Sequence, residues 1–177
     1  MKIDVAEFGG RQVVGFMSEG NFKRLDWLIT TYEIQSVIEL GAFVGLSTCF
    51  FAERCQRVIT IDNFDVESQD YPRYLRPIHE PAARDQYAEF LRNTLAYPNI
   101  TGIHMDFFEA AALPLEADMV YIDAAMPYPK FSELVDVWTP KARKVIAGDD
   151  SQAPGVRQKT VEMGAFHKKQ RTWWKVL

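Results

Sequence analysis

The residues best suited to chemistry stand at the ends of short apolar runs. In VIELGAFVGLST (37–48), an apolar run ending in Glu39-Leu40 passes through Gly41-Ala42-Phe43-Val44-Gly45 into Leu46-Ser47-Thr48. Gly41 permits a tight turn and a close approach of backbone to a ligand. Gly45 lets a helix begin near the strand, and its first turn presents free N–H groups beside the Ser47 and Thr48 hydroxyls. The next run ends in Asp62, 21 residues after Gly41, where a carboxylate can accept two hydrogen bonds from a ribose diol. Strand, glycine loop, helix and strand-end acid together form a nucleoside-binding βαβ unit. Further on, Asp123 closes ADMVYID, and Asp149 and Asp150 close KVIAGDD. Three carboxylates at one edge would repel one another and raise the pKa of at least one. A hard cation such as Mg²⁺ or Ca²⁺ would relieve that, and it could lower the pKa of an acceptor hydroxyl. The plainer reading is that Asp149 caps the next helix while Asp150 faces solvent.

The loop also narrows the ligand. A dinucleotide fingerprint reads GxGxxG, its middle glycine letting the backbone meet a pyrophosphate. Phe43 holds that middle position, so a nucleoside ligand without phosphate fits better. S-adenosylmethionine is one, with an adenosine, a sulfonium and an amino-acid tail. An NAD(P)-dependent oxidoreductase is the alternative, and Phe43 and the missing third glycine argue against it. His79 is a further candidate for proton transfer, since its pKa lies near neutrality, although a surface histidine without a role is the simpler reading. It stands in a proline-containing stretch with Tyr71, Arg73, Tyr74 and Arg76.

These residues need elements to hold them. The apolar runs at 35–40, 57–62, 99–105, 117–123 and 144–149 are continuous rather than alternating, as in strands of a parallel sheet covered on both faces. Segments 19–33, 45–54, 82–96, 128–141 and 155–163 carry helical periodicity between them. Strand and helix alternating predicts a doubly wound α/β fold, Rossmann-like, with right-handed crossovers. Residues 164–177 predict a β-hairpin added antiparallel at the sheet edge. Its Trp173 and Trp174 point to opposite faces and serve as core. The chain reads as a single domain over 1–177, with an N-terminal helical extension over 1–34. Residues 63–81 are too long for an ordinary connection. They follow a strand end, the edge where open α/β sheets bind ligands, and are expected to form an acceptor or lid loop.

VIELGAFVGLSTCFFAERCQRVITIDNF resembles the cofactor motif and following strand of class I S-adenosylmethionine-dependent methyltransferases, in the small-molecule, catechol O-methyltransferase-like branch. MVYIDAAMPY and KVIAGDDSQAPGVRQ are similar to that branch's fourth- and fifth-strand motifs. The resemblance spans about residues 35–177 and implies a seven-stranded, mostly parallel sheet. It also implies roles. Glu39, Gly41, Phe43, Gly45 and Ser47 would line the methionine and ribose part of the cofactor. Asp62 would hold the ribose hydroxyls, with Asn63 and Phe64 next to the adenine and Asp106 and Phe107 flanking it. Asp123 would lie beneath the methyl group, and Asp123, Asp149 and Asp150 would bind a divalent metal. The chain departs from the branch in two places. Met126 stands where related metal-dependent enzymes often carry Lys or His, and Ala142-Arg143-Lys144 replaces a Gly-Gly turn. Met126 leaves open a third reading, a non-catalytic module that only binds the cofactor.

Composition bounds the remaining choices. The chain has 177 residues, 47% of them hydrophobic, and a net charge of -4, enough for one core without disulfides. Cys49 and Cys55 are six apart and match no zinc spacing. They read as core residues of a protein in a reducing compartment. No run approaches the ~20 apolar residues of a membrane span, and MKIDVAEFGG lacks a signal-peptide core, so a cytoplasmic protein is expected. The acidic balance disfavours nucleic acid, and Asp123-Ala124-Ala125-Met126 matches no nucleic-acid methyltransferase motif. The expected partner is a small-molecule methyl acceptor, and a homodimer is compatible with the sequence.

Overall fold

The computed structural model describes residues 4–65, 85–167 and 171–177. Its centre is a seven-stranded sheet. β3 (Ser36–Leu40), β4 (Arg57–Asp62), β5 (Ile100–His104), β6 (Ala117–Ile122) and β7 (Ala142–Gly148) are parallel. β8 (Phe166–His167) and β9 (Trp173–Val176) close the edge antiparallel, giving the order β5-β4-β3-β6-β7-β9-β8. The chain winds outward in both directions from the β3–β6 pair, so a crevice opens above the carboxyl ends of these two strands.

Among the described residues six α-helices connect or precede the strands: α1 (Glu19–Thr31), α2 (Leu46–Ala52), α3 (Gln86–Thr94), α4 (Phe107–Ala110), α5 (Tyr128–Trp138) and α6 (Pro154–Glu162). Alternate strand residues feed two cores. Val37, Val58, Met119, Tyr121, Val145 and Trp174 pack with Leu25 and Leu28 of α1 and Phe50 and Phe51 of α2. Ile38, Ile61, Val120, Ile146 and Trp173 pack with Phe131, Leu134 and Trp138 of α5 and Val156 of α6. Trp173 and Trp174 thus seal opposite faces of the sheet, both buried. The cysteines are free and buried, as expected from their apolar surroundings. Burial pushes the thiols up to about 12 at Cys49 and about 11 at Cys55, so both stay protonated at neutral pH.

The N-terminal region differs from the helical extension expected over 1–34. Its helix is confined to α1, and before it β1 (Asp4–Phe8) pairs antiparallel with β2 (Arg11–Gly15). Gly9 and Gly10 turn the hairpin with φ of 56° and 75°. A two-residue turn with both φ positive follows the right-handed twist of the strands. The Gly-Gly between two short runs containing Val was the signal available for it. Phe8 and Val13 then join the core beneath α1 and α2.

Ala142-Arg143-Lys144, which opens β7, has a structural role at the amino edge of the sheet. Asp118 Oδ2 accepts the backbone N–H groups of Gln35 and Ser36 at 2.9 and 3.0 Å. Its Oδ1 accepts from Arg143 Nη2 at 3.1 Å, and Lys144 Nζ lies 3.9 Å away. Burial acts to raise this carboxyl's pKa, but the N–H of Gln35 and the cations of Arg143 and Lys144 outweigh it and hold it below the ordinary value. Asp118→Ala strands two backbone donors at the start of β3. A loss of about 2–4 kcal/mol is expected in urea unfolding, with no change in ligand binding at the opposite edge.

Candidate functional site

A cleft of about 690 Å³ lies over the carboxyl ends of β3, β4, β6 and β7. Gly41, Ala42, Phe43 and Ser47 form its floor, Asp62, Asn63, Asp106 and Phe107 one wall, and Asp123 to Pro127 the other. Asp149, Asp150 and Arg171 close one end, and Gly15, Phe16 and Met17 after β2 also face it.

The floor is shaped by backbone that only particular residues accept. Gly41 has φ of 94°, and a Cβ there would sit 2.2 Å from the Asp123 carbonyl oxygen. The turn must therefore be glycine for strands β3 and β6 to stay paired. Gly45, also at φ 94°, precedes α2. Phe43 is left-handed too, at φ 51°, and its ring stacks on Phe16 at 5.4 Å. The aromatic pair fills the place where a dinucleotide loop would leave bare backbone.

Asp62 fixes this loop. Its Oδ2 accepts from Ala42 N–H at 2.8 Å and Phe43 N–H at 3.0 Å, and its Oδ1 accepts from Phe64 N–H at 2.7 Å. A carboxylate offers about four lone-pair sites, and three are already used. Sequence reasoning placed both ribose hydroxyls here. The geometry leaves room for roughly one further donor on this group. Burial raises the Asp62 pKa, and the three N–H donors offset it.

Glu39 is fully buried beneath the floor and does not line the cleft. Its Oε2 accepts from Thr48 Oγ1 at 2.5 Å and Thr60 Oγ1 at 2.8 Å, while Oε1 accepts no hydrogen bond. Burial lifts this carboxyl to about 7 against the pull of the Ser47, Thr48 and Thr60 hydroxyls, with the nearby Asp62 charge adding to the rise. The unfolded chain releases this proton near 4.5 and the fold only near 7, so stability falls as pH rises between those values and is level above. Glu39→Gln removes that slope. Relative to wild type, the variant should gain on the order of 1–3 kcal/mol between pH 4.5 and pH 8, read from urea midpoints at both pH values.

The remaining acids differ in environment. Asp106 caps α4, accepting from Phe108 N–H at 2.8 Å, and Phe107 stands beside it in the cleft wall. Asp123 opens onto the cleft, with its carboxyl pKa raised by burial and by the Asp149 and Glu39 charges, against the pull of Arg171. Asp149 is buried and also raised, chiefly by burial, with Arg171 and Asn21 acting against it. His79, with Tyr71, Arg73, Tyr74 and Arg76, lies outside the described residues, as does most of the stretch 63–81.

Asp123, Asp149 and Asp150 do not fit the divalent-ion set expected of them. Among the described residues no three His, Cys, Asp or Glu side chains are placed to hold a metal ion. Asp149 Oδ1 accepts from Asn21 Nδ2 at 3.0 Å, and its Oδ2 faces Arg171 Nε at 3.7 Å. Asp150 Oδ1 is paired with Arg171 Nη2 and accepts from Gln152 Nε2 at 3.0 Å. Asp149 and Asp150 are thus served by donors of the chain itself. Asn21 and Arg171 were not singled out in the sequence. Each lies far along the chain from Asp149 or on the edge hairpin, where no local spacing marks it.

Five carboxyl groups line the cleft, Asp62, Asp106, Asp123, Asp149 and Asp150, against Lys130 and Arg171. Such a field favours a cationic ligand and repels a pyrophosphate. The set of carboxylate acceptors therefore suits a ligand that carries positive charge.

No family model matches the chain, and no curated protein matches it in sequence. Solved structures do match. The O-methyltransferase from Bacillus cereus in complex with SAH aligns at 14% identity and TM-score 0.62, covering 92% of this chain and 83% of that one. TomG, the Streptomyces achromogenes O-methyltransferase involved in tomaymycin synthesis, in complex with SAM, aligns at 18% identity and TM-score 0.57, covering 91% and 81%. The N-methyltransferase NodS from Bradyrhizobium japonicum aligns at 13% identity and TM-score 0.55, covering 88% and 95%. The chain thus has the Rossmann-like fold of class I methyltransferases, with seven mixed, mostly parallel strands. Among the described residues no helix is long and apolar enough to cross a membrane.

Proposed function

We propose that the protein transfers a methyl group from S-adenosylmethionine to an oxygen or nitrogen of a small-molecule acceptor. The observation that carries this reading is the acid-lined cleft over the Gly41 turn, where Phe43 stacks on Phe16 at the position a dinucleotide fingerprint gives to glycine. Gly41, Ala42 and Phe43 would hold the methionine and ribose part, and Asp62 would accept one ribose hydroxyl with its remaining lone pair. Asn63, Asp106 and Phe107 would border the adenine. When bound, the cofactor supplies a methyl group on a positively charged sulfur, open to attack by a lone pair in line.

What the chain must add is alignment and a place for the acceptor's proton. Holding two reactants in line contributes several powers of ten by itself. Asp123 opens onto the cleft, and its raised pKa suits a group that takes a proton near neutral pH. Asp123→Asn should therefore lower turnover by about 10²–10⁴-fold while S-adenosylhomocysteine still binds. The test is release of S-adenosylhomocysteine from a panel of hydroxyl and amine acceptors. Equal turnover by wild type and Asp123→Asn would remove Asp123 from this role. A non-catalytic binding module is the second reading, favoured by Met126 in the cleft wall. Cofactor binding without turnover of any acceptor would support it.

A further inference from the structure

The acid end of the cleft carries its own counter-ion. Arg171 Nη2 is paired with Asp150 Oδ1, and Arg171 Nε stands 3.7 Å from Asp149 Oδ2 without a hydrogen-bond partner. The guanidinium thus bridges the two carboxylates at the end of β7. Both ends of this bridge are held in uncommon backbone: Asp150 has φ of 59° and Arg171 φ of 70°. Left-handed conformations strain a non-glycine residue and persist where surrounding contacts over-determine them. Here the turns are tied directly, with Ser151 N–H donating to the Arg171 carbonyl at 2.9 Å. Trp173 Nε1, two residues further along at the start of β9, donates to the Asp149 carbonyl at 3.0 Å. Asn21 completes the enclosure from α1 by donating to Asp149 Oδ1.

From this geometry we propose that Arg171 is the resident cation of the acid edge, filling the place between Asp149 and Asp150 that a divalent ion would occupy. The protein then needs no metal at this edge. A guanidinium stays charged at every physiological pH and cannot be chelated away. It also gives a fixed fork of donors where an ion would offer an exchangeable coordination shell. Arg171 acts through Asp149 and Asp150 and is in that sense a positioning residue. The inference deepens the methyltransferase reading, but the metal measurement does not depend on the cofactor.

Thermal unfolding of the full chain with and without millimolar Mn²⁺ tests it. The wild-type midpoint should move by less than about 1 °C. Arg171→Ala frees two carboxylates at one edge and should gain a Mn²⁺-dependent rise of several degrees, reversed by EDTA, as expected of a ligand near ~100-fold above its Kd. Arg171→Lys keeps a point charge and should stay insensitive to Mn²⁺. A merely structural arginine would lower the midpoint in both variants without creating that metal response. Should Arg171→Ala fail to fold, Arg171→Gly suits the φ of 70° and takes its place. Wild-type stabilisation by Mn²⁺ equal to the variant's overturns the proposal, and so does a folded variant that ignores the ion. S-adenosylhomocysteine binding by the same wild-type sample keeps the two readings apart. Mn²⁺ insensitivity without that binding would uphold Arg171 and sink the methyltransferase.

Discussion

Gly41→Ala should lose cofactor binding and much of its stability. An alanine Cβ would stand 2.2 Å from the Asp123 carbonyl oxygen and 3.0 Å from its carbonyl carbon. Both are backbone atoms, so no side chain can move aside. The residue is also pinned from two directions. Gly41 N–H donates to the Ile61 carbonyl at 3.0 Å, and Asp123 N–H donates to the Leu40 carbonyl at 2.8 Å. Relief requires parting β3 from β6 at the point where the cleft opens, while φ of 94° adds strain for any side chain. A loss above about 4 kcal/mol is expected, which lowers the thermal midpoint by roughly 10 °C or more for a chain of this size. A variant within about 2 °C of wild type would show that the turn is not as tight as described.

Asp62→Ala comes next in size. It strands the N–H groups of Ala42, Phe43 and Phe64 together, each costing about 1–3 kcal/mol if water does not replace the acceptor. The loop that should meet the cofactor loses its anchor, and the ribose loses an acceptor. S-adenosylhomocysteine affinity should fall about 100-fold or more, with stability lowered by several kcal/mol. Asp62→Asn separates the two effects, because its one carbonyl oxygen can still serve part of the loop. An intermediate stability with an affinity loss close to that of alanine would indicate a direct ribose contact. Unchanged affinity in both variants would remove Asp62 from the cofactor site.

The fold was legible where burial on both faces left continuous apolar runs. VIELGA, RVITID and ADMVYI need no context to read as strands, because every residue of β3 and β6 is buried. The edge hairpin was legible from two short extended runs in 164–177 with no helical period between them. The N-terminal hairpin was harder to see. Its strands are only five residues each and both mix exposed with buried positions, so the helical period of 19–33 set the reading of the whole stretch. The short α4 was missed because four residues carry no periodicity, although Asp106 is a good capping residue.

The candidate site divides the same way. Gly41, Phe43, Ser47, Asp62, Asn63, Asp106, Phe107, Asp123, Asp149 and Asp150 all reach one cleft, since strand ends and the turns that follow them converge by topology. What the sequence could not provide was how their lone pairs are spent. Asp62 serves three backbone donors, Glu39 lies below the floor, and Asp149 and Asp150 meet Arg171 just before β9, the strand next to β7. These partnerships run from Phe64, two positions from Asp62, to Asn21, 128 positions from Asp149, and no fixed spacing encodes them.

Calorimetric titration of the full chain with S-adenosylhomocysteine and, separately, with NADH tests the cofactor assignment most directly. Saturable one-to-one binding of S-adenosylhomocysteine, tighter than about 0.1 mM (roughly 5 kcal/mol of binding free energy), with NADH binding at least about tenfold more weakly, is the expected result. Binding of NADH with no measurable binding of S-adenosylhomocysteine would contradict it.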